Sequence, residues 1–254
     1  VIRLLSSDLD GTLLGDRRAT QRFRAYWEGL NPATCPFLVY NSGRLVDDIE
    51  ALLAVSDLPH PDFVIGGVGT MIGRLDDDRK RRFGATLGAP FDREALMHVM
   101  RQVDGIRLQD DAFQHAHKLS WHLHGAGDER ISELEESLTE AGIEARLVYS
   151  SDRDLDVLPR TANKGAALAW LCRELAIDLA EVAVAGDTGN DRDMFTLPSV
   201  RGIVVGNALD ELRRLAADEP RHYQARRACA DGVIEGLEHF AAHGRTTPTR
   251  AGGR

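Results

Sequence analysis

Cysteine is scarce: Cys35, Cys172 and Cys229 are the three in 254 residues, and their wide separation excludes a disulfide framework or a cysteine zinc site. They read as small buried hydrophobes. Long apolar runs are also missing. No stretch approaches the roughly 18 uninterrupted apolar residues that span a bilayer. The opening Val1-Ile2-Arg3-Leu4-Leu5 leads into acidic residues rather than a signal-peptide core. A cytoplasmic protein with no membrane partner is expected. Basic excess is lacking as well: 31 Lys and Arg stand against 40 Asp and Glu, a net charge of −9. That balance argues against nucleic acid, whose binding is driven by clustered Lys and Arg. The one basic cluster, Arg79-Lys80-Arg81-Arg82, directly follows Asp76-Asp77-Asp78 and reads as a self-compensated surface segment. No repeat or heptad seam is present, so a monomer is expected.

What is there is enough apolar residue, 43% of the chain, to build one large or two modest cores. Strands are predicted at Leu4 to Leu9, Phe37 to Tyr40, Phe63 to Ile65, Val182 to Ala185 and Ile203 to Val205, each running into a Gly or Asn/Asp turn. Helical spacing follows the first two, over Thr20 to Gly29 and Leu45 to Val55. Strands alternating with helices imply a Rossmann-like α/β core around a parallel sheet, with ligands at the carboxyl ends of the strands. The texture changes over residues 76–157: two helical patterns, near Asp92 to Val103 and Asp128 to Ala141, are mixed with β-patterned His117 to His124, Arg146 to Tyr149 and Leu155 to Leu158. This predicts an α+β cap inserted into a core made of 1–75 and 158–244. The polar tail 245–254 is expected to be disordered.

The chemistry-bearing residues sit after predicted strands. In Asp8-Leu9-Asp10-Gly11-Thr12, residues two apart share a face if the chain stays extended, so both carboxylates point the same way. Two such acids favour a hard cation, and Mg²⁺ suits carboxylate and phosphate oxygens. Gly186-Asp187-Thr188-Gly189-Asn190-Asp191 is a second acidic loop, with Asp187 and Asp191 one helical turn apart. Either loop alone is equally well a structural turn. Their common position after buried strands is what a turn does not explain. Ser42, in Asn41-Ser42-Gly43-Arg44, is either a plain helix cap or an anion-facing hydroxyl at a helix start. Lys164, just before the helix over Gly165 to Ala176, is either a surface lysine or a phosphate partner.

Asp8-x-Asp10-Gly11-Thr12, Ser42, Lys164 and Gly186-Asp187-x-x-Asn190-Asp191 resemble, in order and spacing across about 200 residues, the four motifs of the haloacid dehalogenase superfamily of phosphohydrolases. Ser42 stands where many relatives have Thr, which keeps the hydroxyl. The segments His117 to Leu123, Ser150 to Pro159 and Asn163-Lys164-Gly165 are further similar to the sucrose-phosphate phosphatase branch. The resemblance implies a Mg²⁺-dependent phosphatase with a haloacid dehalogenase fold. Asp8 would be the nucleophile and Asp10 the general acid and base. Asp8, Asp187 and the backbone carbonyl of Asp10, with Asp191 and Asn190 in support, would hold the metal, and Ser42 and Lys164 the phosphate. It points to a sugar phosphate, first a mannosylfructose phosphate, with sucrose 6-phosphate or another hexose phosphate as alternatives. Among cap and rim residues it singles out Lys118, then Asp152 and Arg153, with Gly43 and Arg44 near the phosphorylated hexose. Trp121 fits a core position on a β pattern better than a sugar platform.

Two other function classes compete. A metal-dependent glycosyltransferase also uses Asp-x-Asp, but leaves Asp187, Asp191 and Lys164 unexplained. A non-catalytic phosphosugar-binding module would be expected to have lost at least one of Asp8, Asp10, Lys164 or Asp187, and all four are present.

Overall fold

The computed structural model describes residues 1–150 and 152–243, so the tail expected from 245 on lies outside the described residues. Strand β1 (Leu4–Ser7), two leucines and two small serines, is buried along its whole length, as a central strand of a parallel sheet covered on both faces is. It pairs in parallel with β2 (Phe37–Asn41) on one side. Beyond β2 lie β3 (Phe63–Gly66), parallel, and β4 (Met71–Gly73), antiparallel. After a long excursion the chain returns to the other side of β1 as β9 (Val182–Gly186), followed outward by β10 (Arg201–Val204) and β11 (His222–Gln224). The order is therefore β11-β10-β9-β1-β2-β3-β4. Progress reverses direction beside β1, which leaves a crevice at the carboxyl ends of β1 and β9.

Helix α1 (Arg17–Glu28) starts at Asp16, whose carboxylate accepts from Arg18 N and Ala19 N, a cap typically contributing about 1 kcal/mol. It buries Phe23 and Trp27. Helix α2 (Val46–Leu53) follows the Ser42 loop with Asp47 and Asp48 in its first turn. Helix α3 (Asp77–Leu87) carries the basic cluster, and its pairs Arg79–Asp76, Arg81–Asp78 and Arg82–Asp78 compensate it as expected. Phe83 and Leu87 of α3 pack into the larger core, Phe83 edge-on to Trp170 at 5.1 Å, although they fall inside the 76–157 segment.

The second hydrophobic cluster begins at Leu96. Helix α4 (Arg93–Met100) and α5 (Asp128–Glu140) cover one face of an antiparallel sheet in the order β5-β6-β8-β7. Its strands are β5 (Arg107–Leu108), β6 (Leu119–His122), β7 (Ala145–Ser150) and β8 (Asp154–Pro159). Alternation decides its two faces: Leu119, Trp121, Leu155 and Val157 enter the cluster, and Ser120, His122, Asp154 and Asp156 take the other side. Trp121 is core, as its β pattern predicted.

Back in the larger core come α6 (Lys164–Glu174), α7 (Arg192–Phe195), α8 (Asp210–Ala217) and α9 (Cys229–His243). Sequence periodicity did not anticipate β4, α3, β5, α8, β11 or α9. The strands are two or three residues long and sit at or near sheet edges, too short to show a period. Helix α9 carries Gly232 and Gly236, poor helix formers; Gly236 lies against Ile203 of β10, where a side chain would not fit. Of the cysteines, Cys172 is buried, and Cys35 and Cys229 are half-buried.

Candidate active site

Because β1 and β9 run parallel with Ser7 opposite Ala185, the residues that leave them emerge side by side. Asp8 N donates to Ala185 O at 3.0 Å, which carries the pairing one residue past the strand. Asn163 caps α6 through Ala166 N, and this places Lys164, the first residue of the helix, under the crevice. Its ammonium is fully buried and donates to Asp8 Oδ1 at 2.6 Å and to Asp191 Oδ1 at 2.7 Å. The other oxygen of Asp191 accepts from the backbone N–H groups of Asp187 and Thr188, so this side chain shapes the loop that presents Asp187. Thr12 donates to Asp187 Oδ1 at 3.2 Å from the opposite loop. Gly11 has φ of +84° and lies so close to the Asp187 carboxylate that no Cβ fits. Glycine is needed there for both reasons.

Asp8, Asp187 and Asp191 each bring a carboxylate oxygen within 4.8 Å of the others. Three acids share one buried ammonium. Burial first of all, with Asp191 and Asp187 adding and Lys164 opposing, pushes Asp8 up to about 8. Burial, then the Asp191 charge, pushes Asp187 up to about 6. Burial works against the Lys164 charge, yet Asp191 and Asp8 outweigh it and hold that pKa above the ordinary lysine range. The excess negative charge and the all-oxygen donor set fit a hard divalent cation.

Asp8, Asp187 and Asp191 are gathered by their carboxylates, while the side chains of Asn190 and of Asp10, the latter expected to ligate through its backbone carbonyl, are engaged elsewhere. Asn190 turns its carbonyl oxygen to Thr188 Oγ1 at 2.7 Å and to Lys164 Nζ at 3.4 Å. Asp10 lies beyond the end of β1, where the shared-face rule for extended residues lapses. Its carboxylate accepts from Arg44 Nε at 2.7 Å and Nη2 at 2.9 Å. Ser42 is buried, and its hydroxyl accepts from Arg44 N, the short turn of a local cap.

A cavity of about 550 Å³ opens above these groups and is lined by Asp8, Asp10, Ser42, Gly43, Arg44 and Asn190 below. The polar face of the second sheet closes it from above, with Lys118, Ser150, Arg153, Asp154 and Asp156. Lys118 is 4% exposed; its ammonium donates to Ser120 Oγ at 2.5 Å and Asp156 Oδ1 at 2.8 Å. Next to it Gln109 Nε2 donates to Asp154 Oδ1, and His122 Nδ1 lies 3.1 Å from the same oxygen. Asp152 is not part of the lining. It occupies the hairpin between β7 and β8 with φ of 50°, and accepts from the Tyr149 hydroxyl.

Several cavity groups escaped the sequence reading. Asp48, also on the wall, is one helical turn from Arg44 and pairs with it at 2.9 Å. Asp154 and Asp156 are two apart on a strand whose alternate residues are apolar, the pattern of a sheet with one polar face. Gln109 carried no pattern.

The sucrose-6F-phosphate phosphohydrolase family profile matches residues 2–241. The chain is 50% identical over 245 residues to a mannosylfructose-phosphate phosphatase of Agrobacterium fabrum, covering 96% of this chain and 99% of that one. It is 32% identical to sucrose-phosphatase 1 of Nicotiana tabacum, covering 96% of this chain but 60% of the longer plant protein. Among solved structures, the sucrose-phosphatase of Synechocystis sp. PCC6803, in complex with sucrose and phosphate, superposes with a TM-score of 0.84 at 31% identity, covering 95% of this chain and 99% of that one. The expected haloacid dehalogenase fold is the fold found.

Proposed function

Since this chain belongs to the sucrose-6F-phosphate phosphohydrolase family, we propose that it is a Mg²⁺-dependent phosphatase that hydrolyses a disaccharide phosphate through an aspartyl-phosphate on Asp8. The observation that carries this reading is the buried Lys164 ammonium held between Asp8 and Asp191, in a cluster with Asp187 from which Asp8 reaches the wall of a polar cavity.

Asp8 attacks phosphorus, and the bond from phosphorus to the sugar oxygen breaks. Asp10 gives the departing oxygen its proton, then takes one from the water that hydrolyses the aspartyl-phosphate, so each residue ends as it began. Lys164 and Ser42 hold non-bridging phosphate oxygens where charge must be balanced. Asp8, Asp187 and Asp191 would hold the Mg²⁺, which when bound offsets the repulsion between an anionic nucleophile and an anionic phosphate.

The 76–157 segment acts as a cap and chooses the sugar. Lys118, braced by Asp156, and Arg153 present charged donors above the phosphate site, which suits a polyhydroxylated ligand. Mannosylfructose phosphate is the first substrate, on the 50% identity to the Agrobacterium fabrum enzyme over nearly its full length. A monomer is the proposed state. Among the described residues no helix is long and apolar enough to cross a membrane, and the cytoplasm is the proposed location.

The test is phosphate release from mannosylfructose phosphate, sucrose 6-phosphate, simple hexose phosphates and p-nitrophenyl phosphate, with Mg²⁺ and with EDTA. Preferred release from one disaccharide phosphate, abolished by EDTA, is expected. Release from none of them by folded protein would overturn the reading in favour of a binding module.

A further inference from the structure

We propose that Arg44 is a positioning residue that aims the Asp10 carboxylate at the leaving sugar oxygen, with Asp48 as its brace. This rests on the phosphatase reading and replaces the hexose contact that family resemblance implied for Arg44.

Asp10 needs such an aid. It follows the end of β1, its side chain is 55% exposed, and no strand or helix fixes its direction. A general acid and base acts only when one of its oxygens is within hydrogen-bond reach of the reacting oxygen. The guanidinium of Arg44 meets both Asp10 oxygens in a parallel fork, Nε to Oδ2 and Nη2 to Oδ1. Such a fork sets the plane of the carboxylate as well as its distance. Each oxygen keeps a further lone-pair direction open for the substrate side.

Arg44 is itself held at three points. Its Nη1 donates to Asp48 on α2 at 2.9 Å. Its backbone N–H donates to Ser42 Oγ at 3.2 Å, and its carbonyl accepts from Gly67 N at 2.7 Å. The guanidinium is thus anchored to the loop that carries the phosphate-facing hydroxyl, and the aim of Asp10 is set relative to that loop. Asp48, 45% exposed at its side chain, sits in the first turn of α2 and is linked to Asp10 through Arg44.

Leaving-group chemistry tests this. A sugar alkoxide needs a proton as it departs, whereas p-nitrophenolate leaves readily without one. We compare wild type, Arg44→Ala, Arg44→Lys and Asp48→Asn on the preferred sugar phosphate and on p-nitrophenyl phosphate at saturating Mg²⁺, after confirming unchanged melting for Arg44→Lys. Arg44→Ala is expected to lower kcat on the sugar phosphate by ~10²-fold, the usual worth of a general acid, with KM changed by less than about threefold. Its loss on p-nitrophenyl phosphate should be at least about tenfold smaller. Arg44→Lys should not restore the sugar-phosphate rate, because an ammonium cannot form the fork. Asp48→Asn should fall between wild type and Arg44→Ala. A rise in KM at unchanged kcat would make Arg44 a substrate contact and overturn the proposal. Equal losses on both esters, or full activity in Arg44→Lys, would overturn it too. Wild type inactive on both esters would sink the phosphatase reading, and this one with it.

Discussion

Lys164 Nζ lies 2.6 Å from Asp8 Oδ1, although the two residues are 156 positions apart and one begins a helix while the other follows a strand. The contact closes the crevice between β1 and β9 from below. It also binds the start of the chain to the segment that returns after the second sheet.

Replacing the ammonium should be costly. Lys164→Met leaves Asp8, Asp187 and Asp191 buried without a positive partner, and breaking a buried ion set typically destabilises by ~3–5 kcal/mol. Urea unfolding in EDTA at pH 8 should register this. The penalty should shrink towards pH 5, where Asp8 and Asp187, both raised by burial, can take protons instead.

Asp8→Asn should separate chemistry from fold. The amide is no nucleophile towards phosphorus, so turnover should fall by at least ~10³-fold. The variant also loses one of the crowded carboxylates, so its melting temperature in EDTA should equal or exceed that of wild type. Retained activity would remove Asp8 from its proposed role.

Acidity should govern the metal-free protein. Burial raises Asp8 from 3.8 to about 8 and Asp187 from 3.8 to about 6. A pKa raised in the folded state means the fold binds the proton more tightly than the unfolded chain does. The stabilising share of these groups is therefore full below about pH 4 and is lost as pH rises through about 6 and then 8. Protons and a cation compete for the same oxygens, so Mg²⁺ should raise the melting temperature more at pH 8 than at pH 6. Thermal melts over that window, with Mg²⁺ and with EDTA, would reveal a flat or reversed trend if the cluster is not the metal site.

The second sheet should act on the sugar alone. Asp156→Asn removes the charge that holds Lys118 and leaves its ammonium buried with Ser120. KM for the disaccharide phosphate is expected to rise about tenfold, one missing charge-assisted hydrogen bond. KM for p-nitrophenyl phosphate should change several-fold less, since that ester has no sugar to meet the cap. Equal changes for both would show that Lys118 serves the phosphate.

Much of this arrangement could be read along the chain. Buried parallel strands announce themselves as short apolar runs ending in Gly or Asp, because both of their faces meet apolar helices. The motif acids and Ser42 follow such runs and Lys164 opens a helix, so their order told that one site would gather them, and the resemblance supplied the chemistry. The Arg79 to Arg82 cluster was legible for a related reason: its partners Asp76 and Asp78 are three or four residues away, within one helical turn.

Side-chain partnership across the fold was not legible. Whether the Asp10 carboxylate faces the cluster of Asp8, Asp187 and Asp191 or Arg44 depends on where β1 stops, at Ser7, and a strand end is settled by pairing with β2 and β9 rather than by local pattern. Asp152 and Asp154 are the same residue type two positions apart, yet a hairpin turn sends one to Tyr149 and the sheet sends the other into the cavity. The Asp156 carboxylate and the Ser120 hydroxyl meet because the antiparallel register sets these residues opposite each other. Composition and periodicity report forces that act within a few residues of chain, and so they disclose elements and motifs. Which charges share a cavity, and how strongly burial shifts them, arises from contacts between segments far apart in sequence, and those exist only once the sheets have formed.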